Sequence, residues 1–65
     1  MLKAKVRFKD NGVYRVKTVE VEKNEPCTIV RKFIEATRLP KYTYITVVKC
    51  GRYEYQWFGD ASGAF

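Results

Sequence analysis

Apolar and charged residues alternate without a break over residues 2–9, L-K-A-K-V-R-F-K. Leu2, Ala4, Val6 and Phe8 fall on one side, Lys3, Lys5, Arg7 and Lys9 on the other. A period of two marks a strand whose faces meet different surroundings, so this segment predicts a half-buried strand with a cationic outer face. Asp10-Asn11-Gly12 turns the chain, and two pairings compete beyond it. A two-residue Asn-Gly turn sets Phe8 opposite Arg15 and Val6 opposite Lys17, carrying both cations toward a core. A three-residue loop with Gly12 left-handed sets Phe8 opposite Tyr14 and Val6 opposite Val16. The cost of burying unpaired charge favours the second. The apolar phase then changes from Tyr14 and Val16 to Val19 and Val21, so a β-bulge is expected near Lys17-Thr18. The bulge brings Ala4 to Val19, Leu2 to Val21 and Lys3 to Glu20, and it leaves Arg15 across from Arg7 and Lys17 across from Lys5.

Beyond Glu22-Lys23-Asn24-Glu25-Pro26 the period lengthens. Val30, Phe33, Ile34 and Thr37 follow the i, i+3, i+4, i+7 spacing of one helical face, flanked by Ile29 and Ala36. Arg31, Lys32, Glu35 and Arg38 take the opposite side. Pro26 suits the first helical turn, Asn24 or Thr28 is the candidate cap, and Glu25 complements the helix N-terminus. Pro40 disfavours helical geometry at Leu39, so the helix ends at about Arg38.

Tyr42–Phe58 alternates again and holds six of the ten aromatic residues. Gly51-Arg52, with glycine first, predicts a two-residue hairpin turn. It pairs Cys50 with Tyr53, Lys49 with Glu54, Val48 with Tyr55, Val47 with Gln56 and Thr46 with Trp57. One face then carries Tyr42, Tyr44, Thr46, Val48, Tyr53, Tyr55 and Trp57; the other carries Ile45, Val47, Lys49, Glu54, Gln56 and Phe58. Both faces are rich in apolar area, and there is one helix to cover one of them.

The order β-β-α-β-β predicts an α+β two-layer sandwich: one helix on a mainly antiparallel four-stranded sheet, with Phe8, Val16, Phe33, Ile34 and Val47 inside. A single small domain is expected over 1–58, with 59–65 as a flexible C-terminal tail. The first hairpin, the Pro-then-Thr helix start and the second hairpin resemble the first part of a β-grasp (ubiquitin-like) domain at the level of fold, without its fifth strand.

Composition narrows the chemistry. The chain has 65 residues with 13 Lys+Arg against 7 Asp+Glu, a net charge of +6. Such a balance attracts polyanions: nucleic acid, an acidic protein surface or anionic lipid. Lipid ranks last, since no basic amphipathic segment is long enough. Met1-Leu2-Lys3-Ala4-Lys5 runs straight into the alternating pattern with no apolar stretch, so no secretory leader is expected and the location is read as cytoplasmic. Histidine is absent, and Cys27 and Cys50 alone cannot complete a tetrahedral zinc set, so no metal or other cofactor is expected. Two reduced thiols, packed as small hydrophobes, are expected instead. Without histidine, a thiol-activating base or a glycine-rich phosphate loop, the chain reads as a non-enzymatic binding module.

What remains is a surface. With the helix over Leu2, Ala4, Val6, Phe8, Val16, Val19, Val21, Ile45, Val47 and Phe58, the opposite face would join Lys3, Lys5, Arg7, Lys9, Arg15 and Lys17 to Tyr42, Tyr44, Tyr53, Tyr55 and Trp57. Cations among flat rings suit single-stranded DNA or RNA, with charge tracking phosphates and rings stacking on bases. The candidate site is therefore Lys3, Lys5, Arg7, Lys9, Arg15, Lys17, Tyr44, Tyr53, Tyr55 and Trp57. In the competing arrangement Val48, Tyr55 and Trp57 are core, and Ile45, Val47 and Phe58 form an exposed apolar patch. Such a patch suggests a dimer or a protein partner, and the alternative function is an adaptor or inhibitor that docks an acidic protein partner through the hairpins, by strand addition or as a homodimer.

Overall fold

The computed structural model describes every residue, Met1–Phe65. It contains strands β1 (Leu2–Asp10) and β2 (Val13–Val21), helix α1 (Pro26–Thr37), strands β3 (Tyr44–Cys50) and β4 (Tyr53–Asp60), and a 3-10 turn at Ala61–Ala64. The strands form one sheet in the order β2-β1-β3-β4, with every neighbouring pair antiparallel. This is the expected α+β sandwich. The two hairpins meet through β1 and β3, while β2 and β4 are the edges.

The first hairpin takes the pairing that charge burial had argued against. Leu2 lies opposite Val21, Ala4 opposite Val19, Val6 opposite Lys17 and Phe8 opposite Arg15, in one continuous register across the Asn11-Gly12 turn. Asn11 (φ 51°) and Gly12 (φ 80°) are both left-handed, as a two-residue turn with strand-compatible twist requires. No bulge interrupts β2. The cations escape burial because the helix covers only the far end of this strand: Val19 and Val21 are buried, and everything before them is exposed. Arg15 keeps a side chain 63% exposed and pairs with Asp10 at 3.5 Å. The desolvation penalty that would have forced a bulge is never incurred.

Burial on the helix follows its 3.6-residue period. Ile29, Val30, Phe33 and Ile34 are buried, with Phe33 tilted against Phe8 at 4.8 Å between centroids. Pro26 opens the helix, Glu25 is the N-cap without a side-chain cap bond, and Arg38 closes it in the left-handed region (φ 57°). Neither Asn24 nor Thr28 caps; the Thr28 hydroxyl lies 3.4 Å from the Glu25 carboxylate. Beneath the helix lie Ala4, Val6, Phe8, Val19, Val21, Ile45, Val48 and Cys50, with Tyr55 and Trp57 packed at the margin. Val16 and Val47, expected inside, are not: Val16 is exposed and Val47 half-buried on the other face. Cys50 is buried as expected, whereas Cys27 is exposed in the first helical turn.

The second hairpin keeps its expected register from Cys50–Tyr53 to Val47–Gln56, then slips. Thr46 is an extra residue against β1, between the Arg7–Val47 and Phe8–Ile45 pairs. Its hydroxyl donates to the Arg7 carbonyl at 3.2 Å. The slip turns Ile45 into the core beside Val48 and Cys50, and Tyr44 outward with Val47 and Lys49. On β4, Trp57 and Phe58 together stand against Thr46 before pairing resumes at Gly59–Ile45.

The segment expected as a loose tail belongs to the packed body. Gly59 and Asp60 extend β4, and Ala61 and Ala64 are buried. Asp60 accepts from the Ser62 backbone N–H and pairs with its hydroxyl, the Ala61 N–H donates to the Lys41 carbonyl at 2.8 Å, and Lys41 sits 4.4 Å over the Phe65 ring. No helix is long and apolar enough to cross a membrane.

Candidate functional site

The helix covers one face of the sheet and nothing covers the other. On that open face β1 projects Lys3, Lys5, Arg7 and Lys9, one every second residue, so the column runs for about 20 Å. Cross-strand pairing identifies their neighbours. Toward the β2 edge stand Glu20, Thr18, Val16 and Tyr14 in turn; toward the interior of the sheet, Lys49 faces Lys5, Val47 faces Arg7 and Tyr44 faces Lys9.

Almost nothing neutralises this column. Glu20 lies opposite Lys3 and Glu54 opposite Lys49, but Lys5, Arg7 and Lys9 have no carboxylate directly across from them. Asp60, opposite Tyr44, is engaged by Ser62, and Asp10 by Arg15 in the only ion pair of the molecule. Lys5 stands directly opposite Lys49 on the two central strands. Like charges so placed destabilise a sheet by a few tenths of a kcal/mol, up to about 1.

Three rings border the cations at one end. Tyr14 is 50% exposed, Tyr44 42% and Phe58 64%. Tyr14 is already occupied, with the Arg7 guanidinium 4.9 Å and the Lys9 ammonium 5.8 Å from its centroid. Phe58 is held differently. It is the bulged residue of β4 and adopts φ 43°, a region a bulky side chain enters at a cost of roughly 1–3 kcal/mol. It borders a shallow cleft of about 320 Å³ with Arg7, Tyr14, Thr46, Val47 and Gln56.

The ten residues expected to form one site are thus divided between two faces. Lys3, Lys5, Arg7, Lys9 and Tyr44 share the open face. Arg15 and Lys17 pair with Phe8 and Val6, so they lie on the helix side, beyond the helix itself. Tyr53 and Tyr55 are stacked at 6.5 Å on that same side, and Tyr53 is largely exposed. Trp57 is half-buried against the core and donates its indole N–H to the Asp60 carbonyl at 2.9 Å.

Among the open-face residues that sequence reasoning left out are Tyr14, Val16, Val47, Lys49, Gln56 and Phe58. Two signals pointed to Tyr14, Val16 and Phe58. Asn-Gly is the strongest short hairpin signal, and taken at face value it puts Tyr14 and Val16 beside Lys9 and Arg7. Gly59 inside a strand is a mark of a bulge. The chain matches no family model, and comparison with curated proteins and with solved structures finds no match. Any functional reading therefore rests on the face itself.

Proposed function

We propose that this protein is a small, non-enzymatic module that binds single-stranded nucleic acid across its open sheet face. Lys3, Lys5, Arg7, Lys9 and Lys49 track phosphates, and Tyr44 and Phe58 meet bases. The observation that carries the reading is the column of cations on an uncovered sheet, lacking carboxylate partners at its centre and bordered by exposed rings. The like-charged Lys5–Lys49 pair costs stability in the free protein, and a polyanion laid across it removes that cost. Single strands suit the face better than duplex, because rings at an open sheet need unpaired bases to stack upon.

A salt-dependent titration with single-stranded DNA, single-stranded RNA and duplex tests it. Four to five phosphate contacts imply a log–log salt slope of about −3 for a single strand, at roughly 0.7 per contact. Lys5→Gln and Arg7→Gln should each flatten that slope by about 0.7. Binding of neither strand at low salt, or binding indifferent to salt, rejects the reading.

One observation favours a second reading, an acidic protein partner joined by strand addition. β2 is a nine-residue edge with neither proline nor bulge, and it carries exposed Arg15 and Lys17 within it. Such an edge offers a row of free backbone groups to an extended acidic segment, or to a second copy in a homodimer. Concentration-dependent mass, with no response to oligonucleotide, is the outcome that would put this reading first.

A further inference from the structure

The bulge in β4 has an unusual occupant. Gln56 and Trp57 continue the strand, and then Phe58 takes a left-handed φ of 43° with no glycine to ease it. Gly59, which would accept that conformation freely, is the next residue. The ring so held is not used for packing: Phe58 is 64% exposed and lies outside the core cluster. No aromatic or cationic group within the molecule sits on its face, in contrast to Tyr14, which Arg7 and Lys9 occupy. A bulky, apolar side chain is therefore held out toward solvent at the expense of backbone strain. Strain of this kind persists where the surrounding structure over-determines it, and it concentrates at ligand-binding positions.

The surroundings say what such a ring could receive. It stands beside a cleft lined by Arg7, Tyr14, Thr46, Val47 and Gln56, which brings apolar, cationic and amide-bearing residues together. A planar, aromatic ligand with polar edges fits that combination: the plane against Phe58, the edge against an amide that both donates and accepts. The cation column to which Arg7 belongs would take the phosphates attached to it.

We propose that this cleft is a seat for one unpaired nucleobase, with Phe58 as its stacking platform and Gln56 as the group that meets its polar edge. The proposal rests on the nucleic-acid reading above and deepens it: it locates one base at a defined seat on β4 and names Gln56 as the group that meets the base's polar edge. Because every base has a π-face, Phe58 contributes affinity without choosing among bases, and Gln56 is the residue at which a preference would be set.

Phe58→Gly provides a discriminating test, since glycine relieves the strain and removes only an exposed ring. Thermal unfolding should show a melting temperature unchanged or raised. Affinity is then compared for an oligothymidylate of about eight nucleotides, within the usual single-strand site size, and for an abasic strand of equal length that keeps the phosphates. The wild-type protein should prefer the strand with bases. The substitution should weaken binding of that strand roughly 5- to 140-fold, leave the abasic strand unaffected and leave the salt slope unaltered. Equal affinities of wild type and Phe58→Gly for the thymidylate, or equal losses on both strands, would overturn the base seat while leaving the phosphate-binding face intact. A lowered melting temperature would assign the ring to packing and likewise overturn the seat. If the wild-type protein bound neither strand, the nucleic-acid reading would fall and the seat with it.

Discussion

Phe33 is the residue on which the two layers depend. It is the largest fully buried side chain, it sits at the centre of the apolar face of α1, and its ring meets Phe8 at 4.8 Å. Burying a phenylalanine removes about 150–250 Å² from water. At about 25 cal/mol per Å² this is roughly 4–6 kcal/mol as an upper bound, since the unfolded chain already hides part of it. Alanine retains a fraction of that area but leaves a cavity under the helix, so Phe33→Ala should cost about 3–5 kcal/mol. For a chain of this length, total stability at roughly 0.05–0.15 kcal/mol per residue is about 3–10 kcal/mol. The substitution therefore takes away between a third and all of it.

Urea denaturation followed by circular dichroism reads the effect directly. Phe33→Leu serves as the milder companion and should lose clearly less than alanine, because it refills most of the cavity. A double cycle with Phe8→Ala should return a coupling of about 0.5–1.5 kcal/mol, the value of a tilted aromatic pair beyond its area. A Phe33→Ala protein that stayed folded with a loss below about 1 kcal/mol would refute the helix-on-sheet packing.

Two further outcomes separate the faces. Lys49→Gln removes a like-charge contact with Lys5, so it should leave stability unchanged or raise it by a few tenths of a kcal/mol while flattening the salt slope of oligonucleotide binding; Lys17→Gln, on the helix side, should leave the slope nearly as it was. Trp57→Phe loses the indole bond to the Asp60 carbonyl, so it should cost about 1 kcal/mol in thermal or urea unfolding with binding retained. Quenching of Trp57 fluorescence by direct stacking on a base would contradict its position at the core margin.

The identity and order of the four strands and the helix were legible in the chain because each rests on local periodicity and local turn chemistry; the packed turn at Ala61–Ala64 was not, since its burial depends on contacts distant in sequence. The strict alternation of residues 2–9 and the helical spacing of Val30, Phe33 and Ile34 do not depend on what packs against them. Asn11-Gly12 and Gly51-Arg52 could each be read as a hairpin turn, and Pro40 as the stop of the helix. The column Lys3, Lys5, Arg7, Lys9 was equally legible, since residues two apart on a strand share a face wherever that strand lies.

Tertiary structure decided which residues join that column. The fate of Arg15 and Lys17 turned on how far α1 reaches along β2, and no local pattern records the reach of a helix. Because it stops at Val19, two cations opposite core residues remain in water, and the plain Asn-Gly register is the stable one. The aromatic hairpin depended on the slip at Thr46, Trp57 and Phe58, where one residue of phase exchanges faces: Ile45 goes in and Tyr44 out. Alternation alone assigns residues to two faces but cannot say which face the helix takes. That choice is made by the whole core at once, where Val48, Cys50 and Ile45 complete the layer with Phe33 and Ile29, leaving Val47 and Phe58 to the open side.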